Sequence, residues 1–274
     1  MPRIAVTDPD DPRIAVFQGL RDHQLRRWRE RAGGDMEGVF VSEGDLVVER
    51  ALSAGYRLHS ILVDAKRSKP MPDAVPAEIP VYDAGPEVLV RITGYHLHRG
   101  MLACFHRRPV PSPDEVLAAH QPLTSLVAEG VNNPTNLGVI LRCAAAQGVE
   151  AAFLDKTCCD PLYRRAGRVS MGEAYAMPYA RLDPFPDGFA PLRSAGVQLL
   201  ALTPREDAKD ISELKLAADE PVAILVGAEG PGLTEAAMDA ADQLLRIPMS
   251  GTVDSINVGS AAAVAFYALA QARS

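Results

Sequence analysis

Three polar clusters in the second half of this 274-residue chain combine residue types and spacings suited to chemistry on a bound ligand. In the first, Asn136 is placed to cap a helix running from Leu137 to Gln147, and Gly138 and Arg142 lie four apart on one face of it. Helical side chains lean toward the N-terminus, so Arg142 reaches over the bare backbone of Gly138 toward the positive end of its own helix. A cation beside free helix N–H groups suits a phosphate or another anion. A solvated helical arginine is the commoner case, but Val139, Ala145 and Ala146 make this a small, apolar neighbourhood. The second cluster is Glu229 within Val226-Gly227-Ala228-Glu229-Gly230-Pro231-Gly232, whose glycines permit close backbone approach to a ligand. Its spacing is GxxGxG rather than the dinucleotide GxGxxG, with 42 residues after it, and no GK[ST] phosphate loop occurs anywhere. The third cluster is Ser255 and Asn257 at the mouth of an alanine-rich last helix. Capping that helix needs one of them, which leaves the other spare.

All three clusters follow predicted strands. Thr124–Ala128, Ala151–Leu154, Gln198–Thr203, Val222–Val226 and Leu244–Ile247 read as strands alternating with helices at Leu137–Gln147, Asp160–Met171, Pro184–Ala195 and Thr234–Ala241. That alternation predicts a mostly parallel α/β sheet covered on both faces, with ligands at the carboxyl ends of its strands. The first hundred residues alternate too, with strands at 39–42, Leu58–Val63 and Leu102–Phe105, a helix from Glu43 to Ser53 capped by Ser42, and another from Gly85 to Arg91. RRPVPSP at 107–113 reads as a stiff, extended linker. The expected organisation is therefore an N-terminal domain at 1–108, a linker at 109–121 and a larger α/β domain at 122–274.

Composition bounds the chemistry. The chain is 47% hydrophobic and 23% charged, with net charge −7. Residues 1–110 hold 16 Lys+Arg against 15 Asp+Glu, whereas the remainder holds 12 against 20. Two basic spots stand out in the first part. One is GLRDHQLRRWRER (19–31), with Arg26 and Arg27 beside Trp28; the other runs from His96, His98 and Arg99 to His106, Arg107 and Arg108. Arginine suits phosphate and an aromatic can stack on a base, so the pair suggests an RNA-facing surface; solvated, solubilising charge is the alternative. All six histidines precede residue 121, which excludes a Ser-His-Asp triad or a histidine base built within the second half. Cys104, Cys143, Cys158 and Cys159 show neither disulfide-framework nor metal-ligand spacing, so no metal is expected. The absence of a long apolar run and of a signal-like start points to a cytoplasmic protein with no membrane span.

Three segments, NNPTNLGVILRCAAAQGV (132–149), ILVGAEGPGL (224–233) and IPMSGTVDSINVGSAAAVAFYA (247–268), resemble in order and spacing the three motifs of the SpoU (TrmH-type) RNA ribose methyltransferases of the SPOUT superfamily. VSEGDLVVERALSAGYRLHSILV and VYDAGPEVLVRITGYHLHRGMLACF are more loosely similar to that family's N-terminal substrate-binding domain, which is like ribosomal protein L30e. The resemblance implies an α/β-knot, in which the C-terminal segment is threaded as a trefoil, and a homodimer. It further implies methyl transfer from S-adenosyl-L-methionine to a ribose 2′-hydroxyl of rRNA or tRNA. By motif position the cofactor falls to the backbone at Gly227, Ile247 and Ile256, with Val226, Met249 and Gly232 around it. Asn136, Arg142, Glu229, Ser255 and Asn257 match the family's functional polar positions, and Arg168 and Ser170 in GRVSMG resemble a segment near the RNA. One departure is Asn133 where many members carry Asp. The competing readings are a base-directed RNA methyltransferase of the same superfamily and a non-catalytic RNA-binding module.

Overall fold

A computed structural model gives the fold and describes residues 2–20, 29, 33–95, 100–121, 123–251 and 253–273. The chain forms two compact units, Met1–Pro109 with Pro161–Ala176, and Val110–Asp160 with Met177–Ser274. Two features depart from the expected organisation. Residues 161–176 belong to the first unit, although the chain on either side of them belongs to the second. The expected linker is largely a helix, α3 (Pro113–His120), packed in the core of the second unit through Val116 and Leu117. Its start is a reciprocal cap, in which Ser112 Oγ accepts from the Glu115 N–H while the Glu115 carboxylate accepts from the Ser112 N–H.

The first unit is built on a mixed sheet of order β1 (Arg3–Val6), β4 (Val81–Ala84), β3 (Leu58–Asp64), β5 (Met101–His106) and β2 (Val39–Glu43). The first three are parallel, and β5 runs antiparallel to both of its neighbours. Successive residues point to opposite faces, and both faces are apolar because both are covered. Phe40, Ile61 and Phe105 pack against helix α1 (Asp45–Ser53); Val41, Leu62 and Cys104 pack against the turn at Pro12–Phe17 and helix α2 (Pro86–Thr93). Ser42 does not cap α1. It is buried within β2, and Gly44, at φ 98°, begins the helix without a side-chain cap. The expected helix over 160–171 is shorter, α5 (Arg164–Val169), and a second short helix, α6 (Glu173–Ala176), follows beyond it.

The second unit carries seven parallel strands in the order β10 (Lys209–Asp210), β12 (Gln243–Arg246), β9 (Gln198–Leu202), β11 (Val222–Val226), β6 (Thr124–Ala128), β7 (Ala151–Asp155) and β8 (Tyr179–Leu182). One face is filled by Val127, Phe153, Leu199 and Leu225 beneath α3, the short helix α7 (Ala190–Ser194) and α8 (Glu235–Asp239). In place of the long helix expected over 184–195 there is a turn at Asp187–Phe189 followed by α7, with Pro191 in its first turn, where the missing N–H costs nothing. Helices α4 (Pro134–Ala146) and α9 (Val258–Ala272) pack on each other, and α9 also meets β11. Val226 pairs with Ala128, Leu225 with Ala201 and Leu245 with Leu202, so the carboxyl ends of β6, β11, β9 and β12 lie side by side.

Candidate active site

The loops leaving β9, β11 and β12 and the start of α9 line a cavity of about 470 Å³. It lies at the carboxyl edge of the sheet, where open α/β sheets gather their ligands, and its size falls in the range of small-molecule sites. Val226, Gly227, Gly232, Ile247, Met249 and Ile256, the six residues expected to hold a cofactor, all line it. Glu229, Ser255 and Asn257 line it as well.

Backbone constraints shape the walls. A Cβ on Gly227 would fall inside the backbone of Gly232 and Leu233, because the loop closes on itself with the Gly232 N–H donating to the Ala228 carbonyl at 3.0 Å. The same loop is tied to β6 through Glu129, whose carboxylate accepts from the Thr234 N–H and from its hydroxyl, both at 2.8 Å. Gly259 serves a different approach. A Cβ there would meet Val139 Cγ1 at 2.7 Å, so the bare backbone lets α9 press on α4.

That approach brings together three residues far apart in sequence. Asn136 Nδ2 donates to Glu229 Oε2 at 2.8 Å, and Asn257 Nδ2 donates both to Asn136 Oδ1 at 3.1 Å and to Glu229 Oε1 at 3.2 Å. Asn257 Oδ1 accepts from the N–H groups of Gly259 and Ser260, at 2.9 and 3.4 Å, which caps α9. Asn136 is not the cap of its own helix. Asn133 is, with its side chain accepting from the Thr135 N–H at 2.9 Å and Pro134 in the first turn. The cap at Asn133 leaves Asn136, 7% exposed, to bind Glu229 and Asn257. Aspartate would cap equally well, so Asn133 changes little.

Ser255 is exposed on the cavity wall and makes no hydrogen bond among the described residues, which makes it the spare member of the pair at the mouth of α9. Arg142 is exposed too and has no ion-pair or hydrogen-bond partner among the described residues. It does not line the cavity, and among the described residues no hydrogen bond joins it to the other four polar residues. Ser170 and Arg168 belong to the first unit. Ser170 is fully buried, donates to the Gly167 carbonyl at 3.1 Å and accepts from the Ala174 N–H at 3.3 Å, so its hydroxyl is spent within the fold rather than offered to RNA. Arg168 is half exposed and sits 3.1 Å from Glu43. Arg26, Arg27 and Arg99 lie outside the described residues.

Sequence reasoning missed the loop after β9. Thr203, Pro204 and Arg205 line the cavity, and Arg205 bridges Asp207 at 2.9 Å and Glu235 at 3.0 Å. Its hydrogen bond to Asp207 holds that carboxyl below the ordinary range. The signal was available, since this loop also follows a strand of the same sheet. Asp155 was missed as well. Its carboxylate collects the N–H groups of Gly130, Thr157 and Cys158 and the Thr157 hydroxyl, at 2.7 to 3.1 Å, and so fixes the loops after β6 and β7. Burial raises the Asp155 carboxyl, but the hydrogen bonds outweigh it and the net direction is down. Among the described residues no cluster of histidine, cysteine or carboxylate side chains could hold a metal, and no helix is long and apolar enough to cross a membrane.

Residues 124–267 match the model of the SpoU rRNA Methylase family. An uncharacterized tRNA/rRNA methyltransferase of Mycobacterium bovis is 42% identical over 264 residues, covering 96% of this chain and 90% of the relative. The crystal structure of an RNA 2′-O ribose methyltransferase superposes with a TM-score of 0.73 at 28% identity, covering 98% of both chains. That of an AdoMet-bound rRNA methyltransferase from Sinorhizobium meliloti superposes with a TM-score of 0.76 at 23% identity, again covering 98% of both, and this likeness concerns the fold.

Proposed function

We propose, for a chain that belongs to the SpoU rRNA methylase family and is thereby an RNA methyltransferase, that it transfers a methyl group from S-adenosylmethionine to a ribose 2′-hydroxyl of rRNA or tRNA. The observation that carries this reading is the cavity, in which all six expected cofactor residues meet beside the Asn136–Glu229–Asn257 network. Leu202, Val226, Ile247 and Ile256 supply apolar walls for a purine, and the bare backbone around Gly227 and Gly232 supplies close polar contacts. The cofactor's sulfonium supplies an activated methyl group. The chain's own task is to place a hydroxyl in line with it and to ease loss of the hydroxyl proton.

In this reading Asn136, Glu229 and Asn257 are positioning residues, since they hold three loops in register through one another. Ser255, with an uncommitted hydroxyl on the wall, orients the reacting hydroxyl. Arg142, unpaired and exposed on α4, binds the phosphate of the target nucleotide. No histidine lies beyond residue 120 to take the proton. The proposal extends to the trefoil path of the C-terminal segment, to an L30e-like first unit and to a homodimer. Support for the dimer is the apolar exposure of the last segment, where Ile256 is 40% and Tyr267 57% exposed. A cytoplasmic setting is proposed on the four free thiols.

The test is to incubate the protein with methyl-labelled S-adenosylmethionine and unmodified rRNA and tRNA transcripts, then digest the RNA and identify the labelled nucleoside by mass spectrometry. A 2′-O-methylated nucleoside is expected. A base-methylated nucleoside would replace this reading with base-directed transfer, and absence of label with a binding module.

A further inference from the structure

In this acidic chain many arginines are already matched to carboxylates. Arg3, Arg13, Arg29, Arg50, Arg67 and Arg193 each hold one. Arg57 and Arg108 differ. Both are exposed, and among the described residues neither guanidinium has a carboxylate or a hydrogen-bonding partner.

They meet at one end of the sheet of the first unit. The His106 N–H donates to the Arg57 carbonyl at 2.9 Å, which extends the β3–β5 ladder and sets the two residues opposite each other. The rings of His59 and His106 pack edge to face with centroids 5.4 Å apart. The Arg108 guanidinium lies 4.0 Å over the ring of Tyr56, whose other contacts are the core aromatics Phe40 and Tyr175. Contact with a buried ring holds the guanidinium in place while its N–H groups stay without a partner among the described residues, an arrangement suited to phosphate oxygens. Burial, and after it the nearby Arg57 and His59, push the His106 imidazole below its ordinary range.

Placing cations together without acids is unfavourable, and a chain with 35 Asp and Glu has ample means to neutralise them. The cluster spreads along a strand end, so it fits an extended polyanion better than a small one. We infer that Arg57, His59, His106 and Arg108 form a binding surface for the phosphodiester backbone of RNA. This rests on the reading that the substrate is RNA and adds the place on the first unit that grips it.

The experiment uses the full chain and the variant Arg57→Ala/Arg108→Ala. Binding to unmodified rRNA and tRNA transcripts is measured by fluorescence anisotropy across a salt series, with a thermal melt and a cofactor titration as controls. The expected result is about tenfold weaker RNA binding near 0.1 M salt. The slope of log K against log salt should fall by between about 1.4 and 1.8, as for two lost phosphate contacts. Methyl transfer should show a raised KM for RNA with kcat, melting and cofactor affinity unchanged. If the native protein binds and methylates RNA and the variant does so with the same affinity and salt slope, the surface is not an RNA site while the methyltransferase reading stands. If the native protein neither binds nor methylates RNA, both readings fall. Weakened binding to polyglutamate with RNA binding intact would assign the surface to an acidic protein and overturn the inference.

Discussion

In the first unit Glu43 is 4% exposed at the end of β2, and its carboxylate takes Arg164, Arg168 and the Tyr95 hydroxyl. In the second unit Asn136, Glu229 and Asn257 form a network of comparable size, joined by the three hydrogen bonds described above. Each includes a pair 121 positions apart, Glu43 with Arg164 and Asn136 with Asn257, but their settings differ. Glu43 and Arg164 are a buried ion pair, with Arg164 8% exposed and also bound to the Leu20 carbonyl. Burial of Tyr95 pushes its hydroxyl well above the ordinary range, so it stays a neutral donor. The second network has one charge, two amides and an open side on a cavity. A buried ion pair is costly to break, because the surviving partner is left charged out of water. A half-open network can lose a member and let water replace it. The first network should therefore report on stability, and the second on activity.

Five substitutions at four positions sharpen or break this contrast. The largest stability effect is expected for Glu43→Ala, which removes the carboxylate from a buried ion pair and should cost about 3–5 kcal/mol in urea denaturation; a loss below about 1 kcal/mol would show the pair to be solvated. Asp155→Ala should cost about 1–3 kcal/mol by leaving one buried and two partly buried N–H groups unmatched. The Asp155 carboxyl titrates lower folded than unfolded, so its contribution is complete above the unfolded value of about 3.9 and is lost as pH falls through the folded one. Denaturation of Asp155→Asn followed from pH 6 downward should accordingly show a flatter acid limb than the native protein. Asn257→Ala removes the cap of α9 and should cost about 1 kcal/mol, yet slow methyl transfer at least about a hundredfold. Equal, small losses in both would demote the network to a cap. Arg142→Ala should leave stability within about 0.5 kcal/mol and abolish transfer while cofactor affinity holds. Lost cofactor affinity instead would move Arg142 to a different role.

Much of the second unit was legible because its logic is local. Apolar runs of strand length followed by glycine or asparagine clusters located the carboxyl edge, and the cavity-lining residues from Gly227 to Gly232 lie in one of those clusters. Errors arose where a nearer signal was outweighed by a more striking one. Pro134 at the helix start marks Asn133 as the cap, and Ser112 with Glu115 three residues on marks a capping box in what read as a linker. The Glu43–Arg164 pair, 121 positions apart, leaves no local trace, and neither does the transfer of residues 161–176 to the first unit. Only the folded chain shows which opposite charges meet.

The most direct measurement is a calorimetric titration of S-adenosylmethionine into the native protein and into Ile256→Asp. Ile256 is 40% exposed on the cavity wall, so the variant should fold normally. Saturable binding by the native protein, with at least about a tenfold loss in the variant, is expected from a charge facing an apolar ligand surface. No binding by the native protein, or equal binding by both, would contradict the assignment of this cavity to the cofactor.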